Sequence, residues 1–127
     1  MNLIAFLVAG FFALIASTGA FADGNPDAGK AIFQGKCSEC HWTTRLHGDS
    51  MGPNLDGFYG KPAASEQRYC CYTAALKKAG LTWDDATLDK WLSGPAALVP
   101  GTWMAGFPGL KDPQQRADVI AYLSTLK

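Results

Sequence analysis

Apolar residues run uninterrupted by charge from Leu3 to Ala16, then break into short groups at helical spacing, separated by stretches rich in Gly and Pro. Asn25-Pro26 pairs a good N-cap with proline at the first helical position. It predicts a helix through Asp27–Cys37 with Ile32 and Phe33 on its apolar face. Residues 48–64 show neither helical nor alternating period and predict an irregular loop. A second short helix is expected from Tyr72 to Ala79, ended by Gly80. Thr82 is the expected cap of a third, in which Trp83, Leu88, Trp91 and Leu92 keep helical spacing before Gly94-Pro95 stops it. Another Gly/Pro-punctuated loop runs from Pro100 to Gly109. Asp112-Pro113 then opens a last amphipathic helix through Leu126, with Ala117, Ile120, Tyr122, Leu123 and Leu126 available for burial.

With neither strand-like alternation nor an internal repeat, the pattern predicts an all-α fold of three to five helices joined by long loops. Such loops are unusual in a small domain unless something besides backbone pairing organises them. The uncharged opening, Met1 to Ala22, ends in Ala20-Phe21-Ala22 and has the form of a secretory signal with an A-x-A cleavage site, although no Lys or Arg precedes the apolar run. A retained anchor is the alternative, since 22 uncharged residues nearly span a bilayer. The polar Asp23-Gly24-Asn25 that follows at once argues for cleavage after Ala22 and a periplasmic destination. Removal of 22 residues from 127 leaves 105, enough for one domain, 23–127, and too few for two. That part holds all 11 basic and all 11 acidic residues and is formally neutral, which argues against nucleic acid as a partner and against global electrostatic steering.

The chemistry concentrates in Cys37-Ser38-Glu39-Cys40-His41. A CxxCH run sets two thiols at the spacing that reaches the two vinyl groups along one edge of a haem, with an imidazole next to them to bind the iron. Zinc would need a second ligand pair, and the only other cysteines, Cys70 and Cys71, are adjacent and badly spaced for a tetrahedron. A thioredoxin-like dithiol would follow a buried strand, and no strand is expected before Cys37. Export agrees with haem attachment, and a buried haem would organise the long loops.

The second axial ligand separates electron transfer from catalysis. Met51, Met104 and His47 are the only soft or imidazole candidates after Ala22. Met51 and His47 follow His41 by ten and six residues, too near to cross easily to the far face of a macrocycle. Met104 lies late, within Pro100-Gly101-Thr102-Trp103-Met104. A lone Met ordinarily fills core, but a Met in a Gly/Pro loop of a CxxCH chain points to ligation.

Together with the spaced groups Gly29 and Phe33, Gly52-Pro53-Asn54-Leu55, Tyr72-Thr73, Gly80-Leu81-Thr82-Trp83, Pro100-Gly101-Thr102 and Asp118-Val119-Ile120-Ala121-Tyr122-Leu123, the chain resembles a class I cytochrome c over Gly29 to Leu126. The resemblance implies a cytochrome c fold wrapped around one haem c, bound through Cys37 and Cys40, with His41 and Met104 on the iron. It also implies that the Pro53 carbonyl accepts a hydrogen bond from His41, that Tyr72, Thr73, Trp83 and Thr102 lie around the propionates, and that Gly29 and Phe33 pack against Tyr122. The function implied is a monomeric, non-enzymatic carrier of one electron between larger redox partners: a quinol-oxidising complex, a terminal oxidase or a periplasmic oxidoreductase. A membrane would be met only through docking or a retained N-terminal segment. The alternative is a haem enzyme or sensor with a labile Met ligand.

Departures from the family pattern are expected to matter. Trp91 stands where a tyrosine usually lies near the methionine sulfur, Lys61 replaces an arginine, and Leu76 an asparagine. Ala96, Ala97 and Trp103 replace docking lysines, with Lys36 remaining, so an apolar contact patch including Ala105 is expected. Cys70-Cys71 has no counterpart in the family; two thiols, a vicinal bridge and an intermolecular link are all open.

Overall fold

Asn25 starts helix α1, Pro26–Lys36, by accepting the N–H groups of Asp27 and Ala28 at 2.9 and 3.1 Å. Two donors of the open first turn are thereby satisfied, and Pro26 has none to satisfy. The computed structural model describes residues 23–126; the expected export segment, residues 1–22, lies outside them. The described residues form helices α1, α2 (Ala74–Lys78), α3 (Asp85–Ser93), α4 (Pro95–Leu98) and α5 (Pro113–Ser124), with a 3-10 turn at Trp103–Gly106. This is an all-α fold, and its only strand-like pairing among the described residues is one bridge between Pro62 and Thr82. No helix among the described residues is long and apolar enough to cross a membrane.

Helices α1 and α5 cross at Gly29. A Cβ there would lie 1.9 Å from the carbonyl oxygen of Asp118, so the two backbones approach only because glycine has none. One turn further on, Phe33 meets Tyr122 with ring centroids 5.5 Å apart. Asp118 is buried at the same crossing, and its Oδ1 accepts the Asn25 N–H at 2.8 Å and Gln114 Nε2 at 3.0 Å. Phe33, Leu88, Trp91, Leu92, Val99, Leu110, Val119, Ile120 and Leu123 form one core. Because α5 packs against both α1 and α3, its buried stripe is broader than a single face. Val119 is fully enclosed, while Ala117, Tyr122 and Leu126, expected inside, are half-buried.

Two local expectations need correction. Asp84, not Thr82, caps α3, accepting the Thr87 N–H at 2.8 Å. Thr82 is held by the bridge to Pro62, flanked by Ala63 N–H to Leu81 O at 2.8 Å and Trp83 N–H to Lys61 O at 3.0 Å. Helix α2 begins after Thr73, whose hydroxyl accepts the Leu76 N–H at 3.1 Å, so Tyr72 lies outside it. Pro95 both follows α3 and opens α4, since proline at a first helical position lacks no partner. The 48–64 loop contains no helix.

Candidate functional site

At the end of α1 the chain folds back in a tight turn: the N–H groups of Cys40 and His41 both donate to the Cys37 carbonyl, at 3.1 and 3.0 Å. Residues 52–55 run alongside, with Gly52 N–H donating to Cys40 O at 2.9 Å and Leu55 N–H to Trp42 O at 2.8 Å. His41 Nδ1 lies 2.8 Å from the Pro53 carbonyl. A carbonyl only accepts, so Nδ1 carries the proton of the neutral ring and Nε2 keeps its lone pair. Burial holds the imidazole below its ordinary pKa, opposed by the Pro53 carbonyl. The ring needs Gly52, where a Cβ would lie 2.3 Å from His41 Cε1. Burial, with Cys40 adding to it, pushes the Cys37 thiol up to about 11, so before a thioether forms it is protonated at physiological pH.

Asn54 anchors this wall. Its buried amide nitrogen donates to the carbonyls of Thr44, His47 and Gly48 at 2.8, 2.8 and 3.2 Å, and its Oδ1 accepts the Asp56 N–H at 2.9 Å. A later stretch carries Met104 on the 3-10 turn, which Thr102 caps by accepting the Met104 N–H at 3.2 Å. Met104 packs against the core, as do Trp83 and Leu76. Trp83 meets Trp91 edge-on, with centroids 5.2 Å apart. Burial pushes the Tyr72 phenol up to about 12.

All ten residues singled out from sequence, Cys37, Cys40, His41, Pro53, Tyr72, Thr73, Trp83, Trp91, Thr102 and Met104, line one cavity of about 630 Å³. Lys61 and Leu76 line it as well. His47 stays outside, exposed and stacked on Trp42 at 4.5 Å; Met51 touches the rim but is 69% exposed. Gly52 and Asn54 were legible only as parts of a motif. A Gly-Pro-Asn run inside a loop was the signal that it is tightly built.

Residues 26–127 match the family model described as Cytochrome c. The chain belongs to the cytochrome c family. It is 46% identical over 113 residues to cytochrome c2 of Rhodomicrobium vannielii, covering 89% of this chain and 88% of that one. It is also 46% identical over 100 residues to cytochrome c of Cannabis sativa, covering 79% and 88%. Among solved structures, cytochrome cH from Methylobacterium extorquens superposes with a TM-score of 0.72 at 42% identity, over 80% of this chain and 99% of that one.

The cofactor of this cytochrome is haem c, and the site suits it. The cavity has the volume of a large-ligand pocket. Cys37 and Cys40 are unpaired and lie on its wall, at the spacing for two thioethers. His41 presents a nitrogen free to bind iron, its tautomer set by Pro53.

Proposed function

We infer that this cytochrome is an exported one-electron carrier whose haem iron would be held by His41 and Met104. The observation that carries the reading is that the CxxCH thiols, an imidazole with a defined tautomer and a core-packed methionine all line a single cavity. When bound, haem c supplies an iron that gains or loses one electron. The chain does the rest. Cys37 and Cys40 fasten the group, Pro53 and Gly52 hold the His41 ring at one orientation, and Thr102 fixes the backbone of Met104. His41 and Met104 would hold the iron from the protein side, so no substrate would need to bind it, and sulfur ligation would favour a comparatively high potential. Trp83, Trp91, Leu88 and Leu92, which line the cavity, would exclude water around it, and Tyr72, Thr73, Trp83 and Thr102, which line it too, would receive the propionates.

Ala96, Ala97, Trp103 and Ala105 are exposed, and Trp103 also lines the cavity mouth. They form the apolar contact for redox protein partners, of which a quinol-oxidising complex, a terminal oxidase and a periplasmic oxidoreductase are the classes that fit an exported carrier. Export rests on the N-terminal segment, with cleavage after Ala22 leaving one domain, 23–127. Carbon monoxide added to the ferrous protein tests the carrier reading. No spectral change at neutral pH is expected, whereas tight binding would show an open or labile position and favour an enzyme or sensor.

A further inference from the structure

Cys70 and Cys71 are joined to each other in a disulfide. A disulfide stabilises a fold chiefly by closing a loop in the unfolded chain. This one links neighbours and closes none, so it does not serve as a staple. Both residues are exposed, so a reagent in solution can approach the pair. The pair is nevertheless tied to the functional cavity: Tyr69, Cys71, Tyr72 and Thr73 all line it. Tyr69 donates its hydroxyl to the Met51 carbonyl at 2.8 Å, the Tyr69 and Tyr72 rings meet edge-on at 4.8 Å, and Thr73 caps α2. The small ring formed by the bridge therefore lies inside a stretch fastened at both ends. Opening it frees the backbone torsions between Cys70 and Cys71, which set where Tyr69 stands relative to Tyr72.

We propose that Cys70–Cys71 is a thiol–disulfide exchange site for an external dithiol, and that its two states differ in how residues 69–73 form the cavity mouth. A thiolate of the dithiol attacks one sulfur of the pair, the S–S bond breaks and a mixed disulfide forms. The second thiol of the donor then displaces the cysteine and closes the donor's own disulfide. Cys70 and Cys71 gain two electrons and two protons, and the dithiol loses them. This chemistry is independent of the His41–Met104 reading, and either can fail alone.

The test uses the folded holoprotein with the iron kept ferrous by ascorbate, so that a dithiol cannot act through the iron. Alkylation followed by mass measurement should find no label before dithiol treatment and two labels, at Cys70 and Cys71, after it; Cys37 and Cys40, as thioethers, take none. Dithiothreitol and reduced thioredoxin are used in parallel: labelling with the first alone marks a small dithiol as donor, and with thioredoxin at catalytic concentration a protein dithiol. Label taken up without any reductant, or only after unfolding, overturns the exchange site. Hydrogen exchange over residues 69–76 should rise at least about threefold after reduction and alkylation, as expected for a segment losing a local constraint. A Cys70→Ser/Cys71→Ser variant should show the same rise and no response to dithiol. Exchange that is the same in both states overturns the coupling to the cavity.

Discussion

Asn54 shows how much a single buried amide can organise. Its nitrogen gathers three carbonyls from residues 44–48, and so holds the loop whose next strand of chain presents Pro53 to His41. Replacing it with alanine leaves those carbonyls to water and should cost about 1–3 kcal/mol, measured by guanidinium unfolding of the holoprotein. A second residue-scale expectation concerns pH. The hydrogen bond from Tyr59 to Asp85 pushes the phenol from 10.0 up to about 12. The folded state then holds a proton that the unfolded chain releases above pH 10, so stability present in full below that pH is lost as pH rises toward 12. Tyr59→Phe should make the alkaline fall in unfolding midpoint shallower; because Tyr59 is only partly buried, the difference will be small. At this scale CxxCH was readable because its geometry is local. Asp118 was not: a carboxylate in an amphipathic helix normally faces water, and it is buried here only because the start of α1 brings the Asn25 N–H to it.

Among the elements, the crossing of α1 and α5 depends on Gly29. Gly29→Ala would force a Cβ onto the Asp118 carbonyl and should destabilise the fold by about 3 kcal/mol. Gly35→Ala in the same helix meets nothing within 4 Å and should be neutral or stabilising by up to about 1 kcal/mol. Thermal unfolding of the two variants side by side separates packing from helix propensity, since propensity alone would stabilise both. The starts of α1 and α5 were legible because Asn25-Pro26 and Asp112-Pro113 act within one turn. The start of α3 was not, because Thr82 and Asp84 are both good caps and the choice is made by Pro62, twenty residues earlier.

For the whole molecule, formal neutrality and the exposed apolar residues Ala96, Ala97, Trp103 and Ala105 argue for docking with little long-range steering. Electron-transfer rates to a native partner should change less than about threefold over a tenfold range of ionic strength; a steep fall with salt would contradict the apolar patch. The long loops make sense only around the cavity they enclose, which is why the periodicity of the chain pointed to an organiser before the structure showed where it would sit. The pairing of His41 with Met104 is the claim on which the rest depends. The far-red absorption of the ferric holoprotein, compared with that of Met104→Ala, tests it most directly. A sulfur-to-iron charge-transfer band present in the wild type and lost in the variant is the expected result. A high-spin ferric wild type, or a band that survives the substitution, would contradict it.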